Sequence, residues 1–228
     1  MSAENGNAEV EGEKRGGAKS SATICKGKSE LSTLLQAAVT RKPFSELFDV
    51  SLDHRGAELI GDALLDALEK RGFGLDDFDA VGALTAAAVP MVVAVMQAAH
   101  ARDRELDGFV MDFVYPSIKG PSIAGKRVVL LDSWLSEKSY VQTSSLVTLR
   151  NGNELSLDFS VVEHEDAQVV AIASLIGGVS GDADSGSIKV INPVSHEEKN
   201  LPFVMAFDED DLRNGELGEE ASAAKKVD

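Results

Sequence analysis

The clearest pattern along the chain is helical. Leu59, Ile60, Ala63, Leu64, Ala67 and Leu68 recur at three- and four-residue spacing across residues 55–71, making one apolar face that stops at Gly72. Leu31, Leu34, Leu35 and Ala38 show the same spacing earlier, ahead of a break at Pro43-Phe44. Shorter apolar runs follow. Residues 78–84 predict a strand, a turn of small residues leads into a helix over 89–100, and 109–114 predict a second strand. Val128-Val129-Leu130-Leu131 is four apolar residues in a row between Lys126-Arg127 and Asp132, the character of a parallel strand buried on both faces. A helix is expected over 139–150, closed by Asn151-Gly152-Asn153, and a further strand over 169–176.

Strands alternating with helices of this length predict right-handed βαβ units, hence an α/β fold with a mainly parallel sheet flanked by helices. One stretch breaks the rhythm. Leu155, Leu157, Phe159 and Val161 alternate with polar neighbours, which predicts an extra strand inserted over 154–163 near a sheet edge. Residues 188–212, with Pro193 and Pro202, are expected to supply short strands or a closing helix. The Gly-, Ser-, Glu- and Lys-rich residues 1–28 and the small, charged residues 213–228 read as disordered arms around one domain, 29–212.

Charge and composition narrow the function. Thirty-eight acidic residues against 22 basic ones give a formal charge of -16, which disfavours nucleic acid and anionic membrane as partners. A lone cysteine, Cys25, excludes an internal disulfide and argues against a cysteine-based zinc site. No apolar stretch is long enough for a membrane span, and the amino terminus has no hydrophobic signal region, so a cytoplasmic protein is expected.

The most informative segment is 127–140. An apolar strand ends in Asp132-Ser133 and continues as Trp134-Leu135-Ser136-Glu137-Lys138-Ser139-Tyr140. This frame resembles the phosphoribosyl-pyrophosphate motif of the type I phosphoribosyltransferases, in which paired acids are followed by Thr-Thr-Gly-x-Ser. Two other segments point the same way. Residues 79–90, with Val81-Gly82-Ala83-Leu84-Thr85-Ala86-Ala87-Ala88-Val89-Pro90, resemble the family's Val-Gly-Gly-Leu-Thr-x-Gly-Ala-x-Pro turn, and Ile118-Lys119-Gly120-Pro121 resembles its Ile-Glu-Gly-Pro segment. Taken in order over 31–212, they are most similar to the orotate phosphoribosyltransferases of actinobacterial type.

The resemblance implies a type I phosphoribosyltransferase fold, a homodimer or a heterodimer with a paralogue, and a nucleotide or phosphoribosyl-pyrophosphate ligand, with Mg²⁺ if the protein is active. It implies that Asp132 and Ser133 stand at the ribose, that Ser136, Glu137, Lys138, Ser139 and Tyr140 stand in the phosphate loop, and that Ala83, Leu84, Thr85, Ala86 and Ala87 form the pyrophosphate turn. At each place the chain departs from the pattern. Ser133 carries no charge where the second acid is expected, so the positive charge developing on the ribose would be less stabilised. Glu137 puts a carboxylate where a phosphate should sit, a repulsion of about 4 kcal/mol at ~4 Å in an effective dielectric of about 20, which Lys138 offsets only in part. The glycine that lets backbone N–H groups converge on phosphate is absent.

Two further elements are altered. The family's cationic mobile loop corresponds to residues 110–117, which contain no cation and carry Asp112 where arginine is expected. An early Tyr-Tyr-x-Asp element near substrate is reduced to Glu46-Leu47-Phe48-Asp49-Val50-Ser51. These changes together predict a protein of orotate phosphoribosyltransferase type that is impaired in catalysis and serves in ligand binding, regulation or assembly, with no catalytic residue assigned. The alternative is an active enzyme making orotidine monophosphate, with Asp132, Ser136, Lys138 and Ser139 holding substrate in a rearranged loop.

Simpler readings stand beside these. Asp132 reads equally as a strand-end acid capping the next turn. Trp134, the only tryptophan, either plugs the sugar site or is a core or interface residue. His54, His100, His164 and His196 lie in polar surroundings with no nucleophile elbow. The acids around His164 read as a solvated turn, and Asp208-Glu209-Asp210-Asp211 as an exposed acidic turn or a helix start, not a magnesium site. No metal site is expected.

Overall fold

The amphipathic run begins its helix where Asp53 accepts hydrogen bonds from the N–H groups of Arg55 and Gly56, the N-cap geometry that satisfies a first helical turn. The computed structural model describes residues 21–41, 47–112, 115–136, 147–150, 154–178 and 186–215. The first half of the chain forms α1 (Ser21–Arg41), α2 (Phe48–Ser51), α3 (His54–Lys70), β1 (Ala80–Ala83), a 3₁₀ turn at Ala86–Ala88, α4 (Val89–His100), β2 (Asp107–Met111), β3 (Ile118–Lys119) and β4 (Arg127–Ser136). The second half forms β5 (Val147–Arg150), β6 (Glu154–Leu157), α5 (Ser160–Glu163), β7 (Gln168–Gly178), β8 (Ser187–Ile191), β9 (Glu198–Asp208) and α6 (Glu209–Asn214).

Among the described residues the strands form one sheet of nine, ordered β3-β2-β1-β4-β7-β9-β8-β6-β5. The pairs β2–β1, β1–β4, β4–β7 and β7–β9 are parallel and make the centre. β9 has two partners in succession. Its residues 198–202 run antiparallel to β8, and 203–208 of it run parallel to β7, so one strand joins the central sheet to the β8-β6-β5 extension.

β4 shows why its apolar run is continuous. Val129 and Leu131 pack with Val81, Ala83, Ala171 and Ala173 under α1, α3 and α4, through Leu35, Leu64 and Met91. Val128 and Leu130 face the other way, onto Leu155, Leu157, Phe159, Ile188 and Val190 of the extension. Both faces are covered, which is what a run without polar alternation requires. Gly82 is set by close approach, since a Cβ there would lie 2.2 Å from the Phe109 ring. No described helix is long and apolar enough to cross a membrane.

The α/β reading with a mainly parallel sheet holds, and β1, α3, α4 and β7 fall where the pattern put them. Several expectations need correction. Val147–Arg150 is a strand antiparallel to β6, not the end of a helix over 139–150, because Val147, Thr148 and Leu149 are suited to an extended, paired backbone; residues 139–146 lie outside the described ones. The inserted strand over 154–163 stops at Leu157, and Ser160–Glu163 is a helical turn begun by Asp158, whose carboxylate accepts from the Ser160 N–H and hydroxyl. β6 does lie near a sheet edge, paired with the edge strand β5.

α1 starts at Ser21, inside the segment 1–28 expected to be a polar arm. The buried anchors Leu31, Leu35, Ala38 and Val39 hold its later turns, and helix propagation carries it backward from them. α6 and Gly215, in the left-handed region at φ 76°, run past residue 212. Residues 1–20 and 216–228, and with them most of both expected arms, lie outside the described ones.

Candidate functional site

Open parallel sheets present ligands at the carboxyl ends of their strands, so the ends of β1, β4 and β7 are where the polar residues gather. β4 does not end at Asp132. It continues to Ser136 in register with β7, pairing Asp132 with Ser174, Trp134 with Ile176, Leu135 with Gly177 and Ser136 with Gly178. Asp132, Ser133, Trp134, Leu135 and Ser136 are all buried.

Asp132 is 2% exposed. Its Oδ1 accepts from the Thr85 hydroxyl at 3.0 Å and from the Ser133 N–H at 2.6 Å, while Oδ2 has no hydrogen-bond partner. Burial pushes its pKa up to about 6, against the lowering effect of the Ser133 N–H and the Thr85 hydroxyl. Thr85 reaches it because the Leu84 N–H is bonded to the Leu131 carbonyl at 2.9 Å, which seats the turn after β1 against β4. Ser174, the register partner of Asp132 on β7, is also buried with an unpartnered hydroxyl.

A second group lies at the end of β4. The Trp134 indole N–H points to the Ser136 Oγ at 3.1 Å and to the Glu209 Oε2 at 3.0 Å, and the Ser136 hydroxyl donates to that same carboxylate oxygen. Arg213 Nε donates to Glu209 Oε1 at 2.7 Å, and its guanidinium lies 5.8 Å from the Trp134 ring centre. Glu209 is 1% exposed. Burial raises its pKa, but the hydrogen bonds from Ser136, Trp134 and Arg213 outweigh this and hold the carboxyl below its ordinary value.

The structure thus brings Asp132, Ser133 and Thr85 together, with Ala83 at the end of β1 and Leu84 buried beneath the turn. Ala87 is buried in the 3₁₀ turn and Ala86 faces outward. Ser136 is in the strand, not in a loop. Glu137, Lys138, Ser139 and Tyr140 lie outside the described residues. Trp134 is a core residue, in the same cluster as Ile176 and Phe207. Around the segment 110–117 β2 and β3 pair antiparallel, the Asp112 N–H bonds the Ser117 carbonyl and Lys119 approaches Asp112 at 3.4 Å; residues 113 and 114 lie outside the described ones.

Leu47, Phe48, Asp49, Val50 and Ser51 form α2 with its preceding residue, and Glu46 is outside the described residues. Asp208 caps α6 by accepting from the N–H groups of Asp210 and Asp211, so the acidic run is a helix start. Sequence reasoning missed Glu209 and Arg213, whose i, i+4 spacing was the available signal. It also missed Ser174, a lone hydroxyl inside an apolar strand.

Among the described residues no group of three or more His, Cys, Asp or Glu side chains could hold a metal ion. Nor do the buried acids Asp132 and Glu209 fit Mg²⁺. Asp132 is sealed in with its Oδ1 taken, and Glu209 is saturated by an indole, a hydroxyl and a guanidinium.

No protein-family model matches the chain. The orotate phosphoribosyltransferases of Streptomyces avermitilis and Streptomyces coelicolor are each 28% identical to it over 195 residues, covering 83% of this chain and 90% of theirs. Among solved structures, the orotate phosphoribosyltransferase of Mycobacterium tuberculosis in complex with 5-phospho-α-D-ribosyl 1-diphosphate superposes with a TM-score of 0.52 at 21% identity, over 82% of this chain and 92% of that one. A phosphoribosyltransferase from Corynebacterium diphtheriae gives 0.51 at 24% identity, over 82% and 98%. The central parallel strands, the flanking helices and these likenesses agree: the chain has the type I phosphoribosyltransferase fold, and its sequence homologues are orotate phosphoribosyltransferases of actinobacteria.

Proposed function

We propose that this protein is of orotate phosphoribosyltransferase type but does not transfer phosphoribosyl groups efficiently, and that its scaffold serves binding and assembly. The observation that carries the reading is the continuation of β4 to Ser136. A phosphate-binding turn works by offering successive N–H groups to an anion. Of the residues that stand for that turn Ser136 is described, and it and the residues that lead into it, Ser133 to Leu135, are strand: one side of their backbone faces β7, the Ser133 N–H is spent on Asp132, and their side chains are buried. The segment 110–117 supports the same reading, since its sequence holds no Lys or Arg to meet a pyrophosphate.

The test is a transfer assay with orotate, phosphoribosyl pyrophosphate and Mg²⁺, run beside calorimetric titration of phosphoribosyl pyrophosphate. With two sets of charge-stabilising contacts altered, each worth a factor of ~10²–10³, turnover is expected at least about 10⁴-fold below a working enzyme. Micromolar binding with measurable turnover would sink the reading. It would favour the alternative, an active phosphoribosyltransferase with a rearranged loop. One observation supports that alternative: Asp132 is kept as a buried acid with a free Oδ2, an arrangement that costs stability and that a sugar hydroxyl would relieve.

The partner in this reading is a second copy of the chain or a paralogue. α4 carries no Asp, Glu, Lys or Arg, and its outer side offers Pro90, Val93 (48% exposed) and Gln97. On a chain of net charge -16, an uncharged face is where a second copy can approach with least repulsion. Val93→Glu is therefore expected to shift the protein from dimer to monomer in light-scattering chromatography. An unchanged mass would remove α4 from the interface.

A further inference from the structure

We infer that the carboxyl end of β4 holds an anion-binding site whose resident ligand is the chain's own Glu209, carried there on α6. This deepens the proposed function and rests on the same closed strand end.

Three donors converge on one carboxylate: the Trp134 indole N–H and the Ser136 hydroxyl on Oε2, and Arg213 Nε on Oε1. An indole N–H, a hydroxyl and a guanidinium are acceptor-seeking groups that serve a phosphate or a foreign carboxylate as well as they serve a glutamate. The space is made by β7. A Cβ on Gly178 would come 3.3 Å from the Glu209 Cβ and 3.1 Å from the Ser136 Cβ, so glycine leaves the room that the inserted side chain occupies. The carboxylate is buried yet ionised, held below its ordinary pKa by its partners, as a bound anion is.

The element that delivers it is short. α6 spans Glu209–Asn214, follows β9 directly and ends at Gly215 in the left-handed region. Leu212 is its buried apolar anchor. Asp208, Asp210 and Asp211 flank Glu209 in the chain and add negative charge to the element that carries it. α6 thus supplies both the carboxylate that fills the site and one of its three donors, Arg213, while Trp134 and Ser136 come from β4.

The test uses the single tryptophan as its reporter. Glu209→Gly removes the internal carboxylate and leaves the donors. Acetate and inorganic phosphate at millimolar concentration are expected to raise the melting temperature of this variant by several degrees and to change Trp134 fluorescence, while chloride at equal ionic strength does neither. Wild-type protein is expected to respond to none of them, and adding Arg213→Ala to the variant is expected to weaken the response at least tenfold. A folded Glu209→Gly protein that treats acetate, phosphate and chloride alike overturns the proposal, as does a wild-type protein that responds as strongly as the variant.

If Glu209→Gly does not fold in any of these anions, Arg213→Ala in the otherwise native chain decides. The midpoint of the acid transition in Trp134 fluorescence is expected to move to higher pH when the guanidinium that donates to Glu209 is lost, and an unmoved midpoint overturns the proposal. The transfer assay is done on wild-type protein and the anion titration on the variants, so either reading can fail without the other.

Discussion

Replacing Asp132 with asparagine is expected to stabilise the protein by about 3 kcal/mol at neutral pH. An aspartate of ordinary pKa 3.8 that titrates at about 6 in the fold binds its proton more tightly when folded. Stability from this group is therefore highest below about pH 4, falls as pH rises between about 4 and 6, and is constant above; the shift of roughly two units corresponds to about 3 kcal/mol. Asparagine keeps an oxygen for the Thr85 hydroxyl and the Ser133 N–H, and adds an N–H₂ on the side where Oδ2 has no partner. Urea denaturation at pH 4, 5, 6 and 7 checks it. The two proteins should be nearly equal at pH 4 and diverge by pH 6; parallel curves across the range would mean that the acid is not held at a cost.

Trp134→Ala is expected to cost about 4 kcal/mol, in the range of large aromatic deletions from a close-packed core. The side chain is 4% exposed and lies in the core cluster with Ile176 and Phe207. A loss below about 1 kcal/mol would instead identify Trp134 as a plug seated in a pre-existing pocket that tolerates being emptied. Trp134→Phe separates volume from hydrogen bonding. It retains most of the bulk but withdraws one donor from the buried Glu209 carboxylate, a loss of about 2 kcal/mol. In a double-mutant cycle with Glu209→Ala, the two changes should be non-additive by more than about 0.5 kcal/mol, since each removes the indole–carboxylate bond.

These residues also show how far the chain could be read unaided. α3 and α4 were legible because each repeats its apolar positions over three turns or more, and β1 and β7 because short apolar runs bounded by polar residues have few other uses. Asp132 and Thr85 were named from the motif, and the fold brings them within 3.0 Å. The extension of β4 was not read. Ser133-Trp134-Leu135-Ser136 has no strict alternation, and the resemblance drew attention to a turn, whereas pairing with β7 decides the backbone. Val147–Arg150 was read as helical because the antiparallel partner that makes it a strand is a long-range fact. Glu209 escaped for a related reason. Among three other acids it reads as surface, and only the docking of α6 against β4 reveals the one acid that turns inward.

The double allegiance of β9 bears on how the chain comes together as it is made. In space this strand lies between β7 and β8, yet in sequence it follows every other strand. Until residues 198–208 are available, β7 and β8 each keep an unpaired edge, and the extension has no ladder joining it to the central sheet. A growing polypeptide can settle its helices and β1, β2 and β4 early, but the middle of its sheet stays open until nearly all described residues have emerged. Folding on the ribosome is therefore expected to wait on the last strand, and the interval in which two strand edges lie bare is when the chain is most exposed to mispairing with its neighbours.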